Sequence, residues 1–163
     1  MVKPTHVAET RATRLLREHG LAFTEHVYPY VEHGGTAHPA QWLGLAEYAI
    51  IKTLIMERET GEPLIVLMHG THRVLTKELA RQIGAKRIEP CAPPTAQRHS
   101  GYWVGGTSPL ATRRPMRVYA ERSIFALPRI FLNGGKRGYL VGLEPSSLGA
   151  VLEIQTVECA SQD

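Results

Sequence analysis

The amino-acid sequence predicts one mixed α/β (α+β) domain, in which helices surround a mixed, largely antiparallel sheet. Three observations support this prediction. The chain has 163 residues, which fits one domain and leaves little room for two. Strand signals outnumber helix signals, and several neighbouring strands are joined by short turns. The composition, at 43% hydrophobic and 21% charged residues, is ordinary for a globular protein. We therefore expect residues 1–163 to form a single domain.

The N-terminal part of the chain begins with a helix signal. This helix is predicted to be capped by Thr5 and to end at Gly20. Its apolar stripe comprises Ala8, Ala12, Leu15 and Leu16. A strand is predicted at Ala22–Tyr28, a loop at Tyr30–Thr36 and a short helix at Pro39–Leu43.

The next segment predicts a hairpin and two helices. Ile50–Met56 and Leu64–Met68 are apolar runs typical of buried strands, and Glu59–Glu62 supplies the turn between them. Helices are expected at Lys77–Ile83 and Pro93–His99.

Thr76 and Gly84 are predicted to cap and to close the helix between them. Beyond the second helix, the stretch Gly101–Pro115 is predicted to be a loop.

The C-terminal part predicts three more strands, at Arg117–Glu121, Arg129–Leu132 and Tyr139–Leu143. Asn133–Gly138 joins the last two as a hairpin turn, because Asn and Gly tolerate positive φ. A helix capped by its first serines is expected at Ser146–Leu152.

The whole-chain totals narrow the class of protein. The longest apolar runs fall short of the roughly 18 residues that a membrane span needs, and the N-terminus has no apolar core of the signal-peptide kind. We therefore expect a cytoplasmic protein that has no membrane partner. A net charge of +4 suits contact with phosphate backbones without proving it. Cys91, Cys159 and the histidines lack metal-type spacing, so we expect no metal and reduced thiols.

Lys52 interrupts the apolar strand Ile50–Met56. A buried ammonium group without a partner is costly, so a lysine in such a strand usually faces a cavity, a ligand or an acidic group. The alternative is that strand alternation turns Lys52 to the solvent. The residues around Lys52 leave both interpretations open.

A glycine segment, Val104–Pro109, is the second unusual feature. Its paired residues Gly105 and Gly106 could let the backbone approach a ligand and present bare N–H groups, as in an anion nest or an oxyanion hole. A tight turn between strands is the alternative. No Gly-Lys-Ser/Thr follows, so the segment is not a Walker loop, and Ser108 lacks the pattern of a nucleophile elbow.

Basic and aromatic residues lie close to this segment in the sequence. The basic ones are Arg113, Arg114 and Arg117 after the glycines, and Lys136 and Arg137 in the Asn-Gly turn. They could contact a phosphate backbone, or simply be solvated as charged turn residues usually are. Tyr102 and Trp103 could stack on a base, although core packing is the usual role of such residues.

Together these segments resemble the YbaK family of aminoacyl-tRNA editing domains, which includes the editing insertion of bacterial prolyl-tRNA synthetases. The resemblance runs from about residue 8 to about residue 153. Each segment is weak evidence alone, but their order and spacing are specific to the family. The matching segments are Ala12–Gly20, Phe23 with His26 and Tyr28, Lys52–Leu54, Leu79–Lys86, Gly101–Leu110 and Gly134–Gly138.

The resemblance implies a YbaK-type curved sheet or partial barrel surrounded by helices. It also implies a trans-acting hydrolase that cleaves the ester between a wrong amino acid and the 3′ end of tRNA, with no cofactor. Its partners would be the aminoacylated acceptor end of tRNA and prolyl-tRNA synthetase. Lys-Thr at positions 52 and 53 resembles the branch that deacylates Cys-tRNA(Pro), whereas the Ala-tRNA(Pro) branch typically carries Asn after the lysine.

The resemblance further implies which residues form the site. Lys52 would hold the substrate as a fixed charge, and the amides of Gly105 and Gly106 would face the scissile carbonyl. The other substrate-binding residues that it implies are Tyr28, Tyr30, Thr53, Thr107, Ser108, Pro109, Asn133, Gly134, Gly135, Lys136 and Arg137. Water, the ribose hydroxyl or a substrate thiol would attack the ester.

The chain departs from the family pattern at three positions and in the loop just after Tyr28, which lacks the usual acidic His-Asp-Pro pattern. Asn133 stands where many relatives have Ser, Leu140 stands where the cysteine branch often has an acid, and Ala111 replaces a Gly. Because such residues are expected at the pocket walls, two alternatives stay open. One is deacylation of another mischarged tRNA, such as Ala-tRNA(Pro). The other is a non-catalytic module that binds tRNA, a nucleotide or a synthetase.

Overall fold

The structure, a computed structural model, describes residues 8–162. The strands are β1 (Thr24–Val27), β2 (Ile51–Arg58), β3 (Pro63–His69), β4 (Ile88–Pro90), β5 (Arg117–Glu121), β6 (Ile130–Asn133), β7 (Tyr139–Leu143) and β8 (Ile154–Val157). The α-helices are α1 (Arg11–Glu18), α2 (Ala37–Leu43), α3 (Thr76–Ile83) and α4 (Pro93–Ser100). Short 3₁₀ helices lie at Glu47–Ala49, Arg122–Ala126 and Pro145–Ala150. Among the described helices, none is both long and apolar enough to cross a membrane.

The strands form two sheets, with the orders β1-β7-β6 and β4-β2-β3-β5-β8. Pairing is antiparallel except for β3 with β5 and β5 with β8, which are parallel. A single bridge described between Ile50 and Phe131 joins the start of β2 to β6. The predicted mixed, largely antiparallel fold is therefore confirmed, with the strands divided between two sheets.

The five-stranded sheet is the central layer of the molecule, since every residue of β3 is buried. On one face, Ile65 and Leu67 pack with Leu16 of α1 and with Leu132 of the smaller sheet. On the other face, alternate side chains of β3 pack with α3, most closely through Leu79. Burial on both faces explains the continuous apolar run of this strand. The β2–β3 hairpin, with Lys52 opposite Met68, is therefore held rigidly in place.

Helix α1 begins at Arg11 because Thr10 is its N-cap. The Thr13 amide donates to the Thr10 hydroxyl at 3.0 Å, and the Thr10 amide donates to the Thr13 hydroxyl at 2.9 Å. Each residue thus satisfies one free donor of the other. The predicted cap Thr5 lies outside the described residues, and Ala8 precedes the helix instead of joining its apolar stripe.

Two other predicted caps are wrong. Thr76 is the first residue of α3, and the N-cap position is taken by Leu75, without a side-chain hydrogen bond. Gly84 does close α3 as predicted, at a φ of 75°. The C-terminal helix is a 3₁₀ helix preceded by Glu144, also without a side-chain cap. The proline at the start of this helix supplies its fixed φ in place of a capping serine.

Candidate functional site

A cavity of about 480 Å³ collects residues from both sheets, from α2 and α4 and from the loops between them. Lys52 and Gly105, which lie far apart in the sequence, both line it. The other predicted site residues that line it are Tyr28, Tyr30, Thr53, Thr107, Asn133 and Arg137. We call this cavity the Lys52 pocket.

Other predicted site residues do not line the pocket. They are Gly106, Ser108, Pro109, Gly134, Gly135 and Lys136. The expectation of a bare amide at Gly106 is wrong, because its N–H donates to the Trp103 carbonyl at 2.8 Å and closes a turn. Ser108 is fully buried, and its hydroxyl accepts from the Leu110 amide at 3.1 Å. Gly106 and Ser108 therefore stabilise the glycine segment from within, whereas Lys136 is exposed on the neighbouring turn.

Lys52 is half-buried, so strand alternation does not simply turn it to the solvent. Its ammonium donates a hydrogen bond to the His72 carbonyl. Burial lowers the pKa of Lys52, while the Glu47 carboxylate nearby opposes this shift and the Arg73 guanidinium adds to it. A lysine has three donors, and only one is needed for His72. The group can therefore hold an anionic or carbonyl oxygen as well.

The carbonyl that holds Lys52 belongs to a firmly anchored turn. Buried His69 stacks on Tyr48 with ring centroids 3.7 Å apart, and Nδ1 donates to the Tyr48 carbonyl at 2.7 Å. Nε2 then accepts from the Ser123 hydroxyl at 2.7 Å. Burial lowers the pKa of His69, which favours the neutral ring that this pattern requires. The His72 amide closes the turn on the His69 carbonyl at 3.1 Å.

The hairpin turn after β6 holds the glycine segment in place. Asn133 Nδ2 donates to the Gly105 carbonyl at 3.1 Å, and Arg137 Nε donates to the Val104 carbonyl at 2.8 Å. Asn133 Oδ1 accepts from the amides of Gly135 and Lys136 at 2.6 and 3.0 Å. One asparagine therefore ties its own turn to the pocket wall.

Gly105 is required by both its conformation and its surroundings. Its φ is 89°, a region that side chains strongly disfavour. A Cβ there would lie 2.6 Å from the hydroxyl of Tyr30. Within the described residues its N–H has no protein acceptor, so this amide is free to face a ligand.

Part of the pocket lining is apolar and includes two weakly polar groups. Its apolar residues are Ile50, Ile51, Leu54, Pro93, Ala96 and Leu140. In the part of the chain that the structure describes, Thr53 Oγ1 is buried without a hydrogen-bond partner. Cys91 also lines the pocket, and burial, with the carboxylates of Glu57 and Glu89, raises the pKa of its thiol to about 11. The thiol is therefore protonated and a poor nucleophile at neutral pH.

One wall of the pocket was not predicted from the sequence. It is formed by the loop Val31–Thr36 and the start of α2. His38 of this wall bonds the Pro29 carbonyl at 2.7 Å through Nε2, and His33 has a positive φ of 61°. The adjacent glycines Gly34 and Gly35 were a usable signal of backbone approach. Among the described residues, no group of three or more His, Cys, Asp or Glu side chains converges as metal ligands would.

The aromatic pair before the glycine segment divides between core and surface. Tyr102 is buried, and its hydroxyl donates to the Leu110 carbonyl at 2.6 Å. Trp103 is 71% exposed. Arg113 and Arg114 are exposed outside the Lys52 pocket, and Arg114 lines a second cavity of about 590 Å³. Their contact with phosphates stays a prediction.

Comparison with known proteins gives a family and several relatives. A family model described as "Aminoacyl-tRNA editing domain" matches residues 35–149. A relative from Enterococcus faecalis, named "Putative Cys-tRNA(Pro)/Cys-tRNA(Cys) deacylase EbsC", is 24% identical over 164 residues, which cover 100% of both chains. A proline–tRNA ligase from Xanthomonas axonopodis pv. citri is 30% identical over 105 residues, which are 64% of this chain and 18% of the ligase. The chain thus corresponds to less than a fifth of that relative.

Solved structures share the fold. One is titled "Crystal structure of a putative trans-editing enzyme for prolyl tRNA synthetase". It has a TM-score of 0.80 at 21% identity and covers 93% of this chain and 95% of its own. A second, a hypothetical protein APE2540, has a TM-score of 0.82 at 19% identity. At these identities the likeness shows a common architecture.

Proposed function

This chain belongs to the aminoacyl-tRNA editing domain family and is an aminoacyl-tRNA deacylase, and we propose that it acts in trans on mischarged tRNA(Pro), with Cys-tRNA(Pro) as its preferred substrate. The observation that carries this proposal is the meeting of Lys52 and Gly105 in one cavity. A positive charge and a free amide that line the same cavity are suited to an ester carbonyl.

Ester hydrolysis requires stabilisation of the negative charge that develops on the carbonyl oxygen. The Gly105 amide has no protein acceptor among the described residues and is the donor that we assign to this oxygen. One well-placed donor of this kind lowers a barrier by about 3 kcal/mol. Gly106 is excluded from this role because its amide closes the Trp103 turn. Lys52 adds a fixed charge that binds the ester or the terminal ribose and phosphate.

The attacking group comes from the substrate or the solvent. Cys91 is the thiol on the pocket wall, and its raised pKa makes it a poor nucleophile. Water, the ribose hydroxyl and the thiol of a cysteine substrate remain as nucleophiles. The substrate thiol is the most acidic of the three, which suits an enzyme that removes cysteine.

The apolar part of the pocket lining supports cysteine as the amino acid removed. An apolar surface fits a small, weakly polar side chain, and the unpaired Thr53 hydroxyl can bond a thiol. Alanine would leave that hydroxyl unpaired. Serine would bury a more strongly polar group against apolar residues, which costs more.

A deacylation screen tests the proposed specificity. Cys-, Ala- and Ser-charged tRNA(Pro) are compared with wild-type protein and with Thr53→Val, which keeps the side-chain shape. We expect the Cys-charged tRNA to be hydrolysed fastest. In the variant, the ratio of the Cys rate to the Ala rate should fall about fivefold, because one hydrogen bond contributes about 1 kcal/mol. Faster hydrolysis of Ala-tRNA(Pro) by the wild type would contradict the assignment of cysteine.

The proposed reaction also implies which molecules the protein binds. The substrate is the aminoacylated acceptor end of tRNA, present in the cytoplasm where charging takes place. The likeness of this chain to part of a proline–tRNA ligase supports a transient complex with that enzyme while it holds the tRNA.

A further inference from the structure

Both tryptophans of the chain are exposed, although tryptophan is largely buried in most proteins. Trp42 is 61% exposed and Trp103 is 71% exposed. Each adjoins the Lys52 pocket: the ring of Trp42 lies 6.4 Å from that of His38, and Trp103 is two residues from Gly105. Large exposed rings beside a pocket are typical of a binding surface.

The backbone that carries Trp103 is fixed on both sides. Its carbonyl accepts from the Gly106 amide at 2.8 Å, and the Val104 amide donates to Gln97 Oε1 at 3.2 Å. Arg137 Nε donates to the Val104 carbonyl at 2.8 Å. The exposed ring is therefore presented by an ordered turn, so a ligand that stacks on it does not have to order the backbone first.

Positive charge accompanies Trp103. A Cβ at Gly106 would lie 2.9 Å from the Arg137 amide and 3.0 Å from the Lys136 carbonyl carbon, so these two residues pack directly against the Trp103 turn. Both of their side chains are exposed. The Arg137 guanidinium carbon lies 4.9 Å from the centroid of the Tyr30 ring, which lines the pocket. An exposed aromatic ring with cationic side chains on the adjoining turn matches a nucleotide, whose base stacks while its phosphate is neutralised.

We propose that Trp103 is the stacking platform for the terminal base at the unpaired 3′ end of the tRNA, with Arg137 and Lys136 beside its phosphates. This inference rests on the proposed function, because an aminoacyl group held in the Lys52 pocket places the terminal nucleoside at the pocket mouth. It extends the site beyond the cavity, onto the surface of the turn.

Fluorescence tests the stacking without any need for hydrolysis. Trp42→Phe leaves Trp103 as the sole tryptophan, and Trp103→Phe leaves Trp42. Uncharged tRNA(Pro) should quench Trp103 saturably, and the same tRNA without its terminal adenosine should not. Quenching of Trp42 alone, or equal quenching by the truncated tRNA, would overturn the proposal.

Deacylation kinetics give the matching control. Trp103→Ala should raise KM for mischarged tRNA about tenfold while kcat changes less than about twofold, since one stacked base contributes a factor of this order. Trp103→Phe should restore most of the loss, and Trp42→Ala should have a much smaller effect. If Trp103→Ala mattered only when proline–tRNA ligase was present, and tRNA alone gave no quenching, the ring would serve a protein partner and the proposal would fail. Absence of wild-type deacylation would reject the proposed function, while the quenching experiment would still test Trp103.

Discussion

Lys52 and Gly105 stand out in the sequence because each breaks a local pattern, but only the family resemblance favours a functional role over an ordinary one. A lysine inside an apolar strand and a pair of glycines in a loop both need an explanation that secondary structure does not supply. Gly106 was assigned wrongly for a physical reason. Whether an amide is free depends on the turn around it, and that turn closes on the carbonyl of Trp103.

Residues of the pocket wall that follow ordinary patterns could not be identified in this way. Cys91 comes just after a short strand, and its place beside Thr53 results from long-range packing. The same is true of the loop Val31–Thr36, which follows β1 in the chain and lines the pocket only in the folded protein. Such contacts depend on the assembled sheets and leave no local signal.

Gly105→Ala, which adds a single methyl group, should disrupt the site. The new Cβ would lie 2.6 Å from the Tyr30 hydroxyl, at a φ of 89°. We expect a loss of about 2 kcal/mol of unfolding free energy and a much lower kcat, because the loop must move its amide. Urea unfolding and deacylation rates measure the two effects.

Gly149→Ala is the matched control, since a Cβ there meets nothing within 4 Å and its φ is not positive. It should leave both measurements near wild type. If Gly105→Ala behaved like this control, the close packing of Gly105 would have no role in activity.

At the scale of elements, the Asn-Gly turn was predicted from its residues, and its strands β6 and β7 pair as expected. The sequence did not reveal that this turn also supports the glycine segment, because that contact spans 28 residues. The short strands β4 and β8 were missed. β4 has three residues and β8 alternates weakly, so their pairing comes from the neighbouring strands.

Asn133→Asp should separate the two roles of this asparagine. The carboxylate keeps the acceptor for the amides of Gly135 and Lys136, but it cannot donate to the Gly105 carbonyl. We expect stability to fall by less than about 1 kcal/mol and kcat to fall at least about tenfold, because an anion then faces the carbonyl of the active loop.

Asn133→Ala is the comparison for that variant, since it removes both roles and should lower stability more than the aspartate does. Chemical unfolding and single-turnover deacylation report the two effects. If Asn133→Asp kept the wild-type kcat while Asn133→Ala lowered both kcat and stability, Asn133 would act only through its own turn.

At the scale of the whole molecule, one buried and two partly buried histidines link stability to pH. Burial lowers the pKa values of His26, His69 and His99, and the guanidiniums of Arg129 and Arg114 add to the shift at His26 and His99 respectively. The unfolded chain therefore binds more protons than the folded chain near and below the ordinary histidine pKa of about 6.5. Stability is full above that pH and is lost as the pH falls through the lower folded-state values.

His69→Gln should flatten this dependence, because it removes the histidine that is fully buried. The free energy of unfolding is measured in urea at pH 5, 6, 7 and 8. Only the slope of this free energy against pH is compared between variants. His19→Gln, at the exposed end of α1, is the control and should keep the wild-type slope. An unchanged slope in His69→Gln would assign the acid sensitivity to other groups.

The fold as a whole could be predicted from the sequence, since the mixed, largely antiparallel architecture follows from the order of strands and turns. The division into two sheets could not, because β3 with β5 and β5 with β8 pair across long connections. This division creates the space between α4, β2 and the smaller sheet, and the Lys52 pocket occupies it.

The most direct test of the account is the rate at which Lys52→Ala releases cysteine from Cys-tRNA(Pro), compared with the wild type at equal folded concentration. Equal unfolding midpoints would establish that the fold is intact. We expect Lys52→Ala to release cysteine at the uncatalysed background rate, because the ester then lacks its fixed positive charge. Hydrolysis by Lys52→Ala at the wild-type rate would contradict the assignment of the Lys52 pocket as the editing site.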